Sequence, residues 1–257
     1  NVMACVDEFY TIEDRRQHFI DSWRHVAERL AHAPAVIGFD ILNEPNWGTY
    51  PIFQFERDRL LPLYADVVST VREVAPNWIA FVEPGASRNV GIATQLAELP
   101  FSDVMYAPHS YDQAAESGAG FDPANRQKLI DTMAELSYEA QTLGAGLWIG
   151  EYGGMAEAPN IVEYMTAQYD AAGQVAAGTM YWAYDKGDGY ALLAADGSEK
   201  PALLGALVKP YPERVAGDPI SYAFDAATST FTFVYRPDRS LGLPTELVIP
   251  ARNYPTG

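Results

Sequence analysis

The chain has 257 residues, 48% hydrophobic and 12% aromatic, and its 17 basic and 34 acidic side chains give a formal net charge of -17. This composition excludes a disordered polymer, and the acidity excludes a nucleic-acid partner, whose binding needs Lys and Arg to neutralise phosphates. Cys5 is the single cysteine, so no intrachain disulfide is available, and no apolar run approaches the ~18 to 20 residues of a membrane span.

The chain opens on Asn1 with no basic-then-apolar signal segment, and it enters a helix without a leading strand, which we read as a piece of a longer polypeptide. Thr11 and Asp14 form a loose capping box ahead of Phe19, Ile20, Trp23, Val26, Ala27 and Leu30, an amphipathic helix stopped by Pro34. Residues 36–42 read as a buried strand, followed by a polar, aromatic loop over 43–50 and a helix over 55–74. Apolar runs at 78–82 and 104–107 are further strands, closed by Glu83-Pro84-Gly85 and by Pro108-His109-Ser110-Tyr111. Residues 112–121 read as a small polar loop and 124–143 as a helix with Gly144 at its C-cap. The strand 146–150 delivers Glu151, and a helix over 160–176 leads to a last strand at 178–183.

Strands alternating with helices predict parallel βα units. The absence of a G-x-G-x-x-G turn argues against an open dinucleotide-binding sheet, whereas polar and aromatic residues at successive strand ends argue for an α/β (β/α)8 TIM barrel, of which about the last five units are visible. Beyond Lys209 the pattern changes: Lys209-Pro210-Tyr211-Pro212 reads as a stiff connector, and 220–224, 230–235 and 245–249 alternate as antiparallel strands. The expected domains are 1–208, a partial barrel, and 209–257, a small antiparallel β-sandwich that is itself cut short.

Two short segments carry the chemistry. Ile37-Gly38-Phe39-Asp40-Ile41-Leu42-Asn43-Glu44-Pro45 and Leu147-Trp148-Ile149-Gly150-Glu151-Tyr152-Gly153 each bring a glutamate to the end of an apolar run. Two carboxylates at strand ends are what glycosidic bond cleavage needs: one acid to protonate the leaving oxygen and one carboxylate to attack or to activate water.

Asn43-Glu44-Pro45, His109-Ser110-Tyr111, Glu151 and Tyr181-Trp182, in that order at strand ends, resemble the retaining glycoside hydrolases of family 5. The tail, with Tyr211-Pro212-Glu213-Arg214-Val215-Ala216-Gly217, Tyr222-Ala223-Phe224-Asp225 and Pro244-Thr245-Glu246-Leu247-Val248-Ile249-Pro250, resembles the C-terminal β-sandwich of the endoglycoceramidase group. The resemblance implies Glu44 as acid/base, Glu151 as nucleophile hydrogen-bonded by Tyr111, further substrate contacts from Asn43, His109 and Trp182, and no cofactor or metal. It implies hydrolysis between oligosaccharide and ceramide, a glycolipid or oligosaccharide substrate, transient contact with a membrane or micelle surface, and an extracellular location. Another family 5 activity, a β-glucanase or a steryl or ceramide β-glucosidase, uses the same segments, and a non-catalytic carbohydrate- or lipid-binding fragment is the alternative of a different class.

The residues supply reasons for these roles. Glu44 is expected to have a pKa raised towards ~6 to 7 by burial and a neighbouring carboxylate, as a general acid requires. Asn43 offers an amide to a sugar hydroxyl, His109 and Tyr111 share one side of an extended segment, and Trp182 offers a flat ring for stacking. Glu83 also ends a strand, but Pro84-Gly85 suits a tight turn, so it is read as structural or peripheral. Trp47, Tyr50 and the 184–190 loop are candidates for shaping the leaving-group side, whereas Asp185 with Asp188, and His18, His25 and His32, lack a full metal-ligand set.

Overall fold

Leu60, Leu63, Tyr64, Val67, Val68 and Val71 recur at helical spacing, and all are buried. The computed structural model, which describes residues 2–254, builds this helix against short strands. Strands β1 (Gly38–Asp40), β2 (Ile79–Val82), β3 (Val104–Tyr106), β4 (Gly146–Tyr152) and β5 (Gly178–Tyr181) form a five-stranded sheet in that order. Register is parallel from β1 to β4, with Gly38 opposite Ile79, Ala80 opposite Val104 and Met105 opposite Gly146. Helices α1 (Val2–Thr11) and α2 (Glu13–Leu30) precede β1. Between β1 and β2 lie α3 (Ile52–Phe55), a π-helical turn (Glu56–Leu60) and α4 (Leu61–Arg72). After β3 come α5 (Gln113–Ser117) and α6 (Arg126–Thr142), then α7 (Ile161–Gln174) after β4 and α8 (Pro201–Leu207) after β5. The sheet is the alternating βα series expected from the sequence, although each strand except β4 is shorter than its apolar run.

By internal packing the chain divides into two units, Asn1–His109 with Tyr138–Gly150, and Ser110–Ser137 with Glu151–Gly257. In the first, α2 packs on α4. Trp23, Phe39 and Trp78 form a line of rings with centroids 5.4 and 6.2 Å apart, and the Trp23 indole N–H donates to the carbonyl of Ile41 at 3.1 Å. This bond satisfies a carbonyl just past the end of β1, where sheet pairing stops. The capping box does not form. Thr11 is the last residue of α1, and its hydroxyl donates back to the carbonyl of Asp7 at 2.7 Å, so Ile12 caps α2 without a side-chain bond.

In the second unit, α7 buries Ile161, Tyr164, Met165, Gln168, Ala171 and Ala172. Four C-terminal strands follow: β6 (Tyr211–Arg214), β7 (Gly217–Asp225), β8 (Thr230–Pro237) and β9 (Glu246–Val248), paired antiparallel as β6 with β9 and β7 with β8. β6 corrects the reading of 209–212 as a mere connector: its proline lies in a two-stranded pair, where an edge tolerates a residue without an N–H. Two short helices, α5 and α8, were also not anticipated; Asp112 caps α5 by accepting from the N–H groups of Ala114 and Ala115, both at 3.0 Å.

The β7–β8 hairpin is seated on α7 through close contact at Gly173. A Cβ at this position would lie 2.2 Å from the carbonyl oxygen of Tyr222, whose hydroxyl donates to the carbonyl of Ala177 at 3.0 Å. Gly173→Ala is therefore expected to lower unfolding free energy by about 2 kcal/mol, the range for forcing an extra methyl into a packed contact. Urea unfolding checks this, and an unchanged midpoint would contradict the seating described.

Candidate active site

In the first unit, Glu44 lies beyond β1 rather than on its last residue. Its φ is 44°, the left-handed region that glycine favours and a glutamate enters only when held there. The hold is visible: the Glu44 backbone N–H donates to Glu83 Oε2 at 2.7 Å. Glu83 is buried, at 3% exposure, and its Oε1 lies 3.3 Å from Nε2 of the equally buried His109. The other ring nitrogen, Nδ1, is 2.9 Å from Glu44 Oε1, and the Asn89 side-chain amide donates to that same oxygen at 2.7 Å.

Asn89 is carried by the 3-10 turn Ala86–Val90 after β2, which is pinned on both sides. Gly85 N–H donates to Glu56 Oε1 at 2.6 Å, the Thr94 hydroxyl to Glu56 Oε2 at 2.7 Å, and Gln95 N–H also to Oε2. Arg88 pairs with Glu139 at 3.0 Å, and Glu139 also accepts from the Tyr106 hydroxyl at 2.7 Å. Ala86 N–H donates to the carbonyl of Pro45 at 2.8 Å, tying the turn directly to the segment that bears Glu44.

The carboxyl of Glu44 is held below its ordinary pKa, chiefly by the hydrogen bond with His109, with burial pulling the other way and the His109 charge and Asn89 adding to the lowering. This reverses the raised value expected from sequence. The side chain is still 39% exposed, so desolvation is too weak to outweigh its donors. Asn43, one residue earlier, is exposed. Trp47 and Tyr50 line a cavity of about 270 Å³ together with Asp7, Tyr10, Phe55 and Arg59.

In the second unit, the Tyr111 hydroxyl donates to Glu151 Oε2 at 2.8 Å. Burial first, and the Glu151 bond second, push the Tyr111 pKa far up, so the phenol remains a donor. Glu151 lies within β4, one residue before its end, where the strand was expected to stop just before it. Tyr111 is placed by a buried polar cluster: the Gln168 amide donates to the Ser110 carbonyl at 2.8 Å and to the Tyr164 hydroxyl at 2.9 Å, and that hydroxyl accepts Asp112 N–H at 3.0 Å. Ser110 N–H donates to the Glu151 carbonyl at 2.9 Å, joining the two backbones. Trp182 follows β5 and is 53% exposed, and its backbone N–H donates to the carbonyl of Tyr152 at 2.9 Å. His18, His25, His32 and Asp185 are all exposed.

The structure thus brings Glu44 together with His109, and Glu151 with Tyr111, while Asn43 and Trp182 present side chains to solvent. Sequence reasoning missed Asn89, which sits in a turn with no distinguishing spacing, and undervalued Glu83, whose strand-end position was the available signal.

The chain matches the Cellulase (glycosyl hydrolase family 5) family over residues 2–188 and the glycoside hydrolase family 5 C-terminal domain over 209–257. It belongs to glycoside hydrolase family 5. An endoglycoceramidase from Hydra vulgaris is 24% identical over 238 residues, 87% of this chain and 44% of that protein. An endoglucanase from Paenibacillus polymyxa is 30% identical over 168 residues, 57% of this chain and 41% of that one. The structure of endo-glycoceramidase II from Rhodococcus sp. in its ganglioside GM3 complex superposes with a TM-score of 0.89 at 28% identity, over 100% of this chain and 60% of that one. The same enzyme as its lactosyl-enzyme intermediate gives 0.87 at 27%, again over 100% and 60%. The chain therefore spans less than half the length of these two sequence relatives, and the family fold is that of a TIM-barrel segment followed by the C-terminal β module.

Because the folded pKa of Glu44 is depressed, its ionised form adds stability above the ordinary carboxylate range, and this is lost as pH falls through the depressed value. His109→Asn is expected to move the Glu44 pKa upward by more than Asn89→Ala does, as read by carbon NMR titration of the labelled carboxyl. A larger shift from Asn89→Ala would contradict the ranking of causes.

Proposed function

We propose that this chain is the catalytic segment of a retaining β-glycosidase that releases the oligosaccharide from the ceramide of glycosphingolipids. The reading is carried by the different company of the two strand-end glutamates: Glu151 takes a phenol O–H from Tyr111, whereas Glu44 is bound on one oxygen by His109 and Asn89. A carboxylate steadied by a neutral donor suits a nucleophile, and one with an imidazole partner suits an acid that must also act as a base.

In the first step Glu151 attacks the anomeric carbon as the bond to the ceramide oxygen breaks, and Glu44 gives that oxygen its proton. Sugar binding strips water from the half-exposed Glu44, and this desolvation opposes the pull of His109 and favours the protonated acid. The product is a glycosyl ester of Glu151, with neutral ceramide released and Glu44 left ionised. In the second step Glu44 takes a proton from water, the water oxygen attacks the anomeric carbon, and the bond to Glu151 breaks. Two inversions give net retention. Asn43 and the exposed indole of Trp182 are the proposed contacts to sugar, as an amide for a hydroxyl and a ring for stacking.

Support for the ceramide substrate comes from the extent of the likeness. The likeness to the Hydra endoglycoceramidase runs over 87% of the chain, while that to the bacterial endoglucanase covers 57%. The higher identity with the endoglucanase makes glucan cleavage the second reading. No helix of the described residues is long and apolar enough to cross a membrane.

The full natural polypeptide is expected to release intact oligosaccharide from a ganglioside. Exclusive cleavage of a soluble cellulose derivative would replace the ceramide reading with the glucan one. Glu151→Gln is expected to lower turnover by about four orders of magnitude or more, as removal of a covalent nucleophile does. Turnover retained within a few fold would exclude Glu151 from that role.

A further inference from the structure

Glu83 belongs to neither carboxylate role above, yet it is among the most deeply buried acids in the first unit. A carboxylate at 3% exposure is costly to keep unless its oxygens are satisfied, and both are. Oε2 takes the backbone N–H of Glu44 at 2.7 Å, and Oε1 lies 3.3 Å from His109 Nε2. One side chain therefore touches both the main chain that bears Glu44 and the ring bound to its carboxyl.

We propose that Glu83 is a positioning residue for the acid/base step, setting Glu44 through its backbone and through His109, with Asn89 closing the same frame. The inference rests on the reading of Glu44 as the acid/base.

Three observations argue that this carboxylate does more than hold the strand end. The end of β2 is anchored without it, because the Tyr64 hydroxyl donates to the Glu83 carbonyl at 2.9 Å and Gly85 N–H goes to Glu56 at 2.6 Å. The Glu44 backbone, at a φ of 44°, is in a conformation that a glutamate keeps only under external restraint; the Ala86 N–H holds the next carbonyl, that of Pro45, and the bond to Glu83 is the restraint on Glu44 itself. Finally, His109 and Asn89 both engage Oε1 of Glu44, which directs proton delivery to Oε2. Rotation of the ring or release of the backbone would turn that oxygen away from its task. Glutamine does not reproduce both contacts. A ring with N–H on both nitrogens donates to Glu83 and to Glu44 at once, whereas an amide that accepts the Glu44 N–H with its carbonyl turns its NH2 toward Nε2, which must then accept, and the negative charge facing the ring is lost.

Leaving-group dependence separates a positioning role from a structural one. Aryl glycosides of one glycan are compared by kcat/KM in the full natural polypeptide, one with a dinitrophenolate leaving group that departs without a proton, the other with an unactivated phenol. For Glu83→Gln, kcat/KM is expected to fall about 10- to 100-fold on the unactivated substrate, within the range of general acid catalysis, and to stay within about threefold on the activated one. An equal fall on both, or on neither, would overturn the inference. Asn89→Ala, at a half-buried position, gives the same selective loss and carries the test if Glu83→Gln does not fold. Glu44→Ala runs alongside. If it spares both substrates, the acid/base reading and this inference fall together. If it shows selective loss while the Glu83 and Asn89 variants do not, the positioning role alone falls.

Discussion

The hydrogen bond from the Glu44 main chain to the buried carboxylate of Glu83 holds the geometry of the first unit's site together. A left-handed glutamate costs about 1 kcal/mol or more and relaxes unless something outside the local chain restrains it. Here the restraint comes from the neighbouring strand, so the two strand ends are joined beyond the reach of their short backbone ladder. The same carboxylate meets His109, which comes from the end of the third strand. Three consecutive strand ends thus contribute one residue each to a single polar cluster, and the short strands matter chiefly because they present those ends in order.

The second unit reaches a similar result with neutral groups. Gln168 and Tyr164 lie one turn apart on α7 and grip the backbone around Tyr111 through one amide and one hydroxyl. Buried amides and hydroxyls cost much less to desolvate than ions, and each is paired. Tyr111 is thereby delivered to Glu151 as a donor whose proton is secure, since burial makes the phenolate unfavourable. One glutamate therefore sits among groups that exchange protons readily and the other beside a group that does not.

What the sequence revealed follows from the range of each force. Glu44 and Glu151 could be read because short apolar runs ending in polar residues mark strand ends, a local signal. The βα alternation was legible for the same reason. Asn89 was not, because its importance lies in meeting Glu44 across 45 positions of chain, and nothing nearby announces it. The direction of the Glu44 pKa failed for a related cause: burial was assumed, but the balance depends on how many donors the fold gathers and how much water remains. The strand Tyr211–Arg214 was hidden by Pro212, which is compatible with an edge strand and an extended linker alike. The proposed capping box shows the opposite failure, a plausible local pattern overridden when α1 claimed Thr11.

Gly173 links the C-terminal hairpin to this chemistry. It sits on α7 facing away from Tyr164 and Gln168, at the point where the Tyr222 main chain comes closest. The helix is thus constrained on two sides at once, by the hairpin on one and by the cluster that places Tyr111 on the other. Such a helix leaves little freedom for evolutionary drift, because a change that shifts it to suit a different hairpin also shifts the loop it steadies. The β module is then poorly suited to exchange between enzymes as a detachable accessory. Its history should follow that of the barrel segment it rests on, residue for residue at this contact.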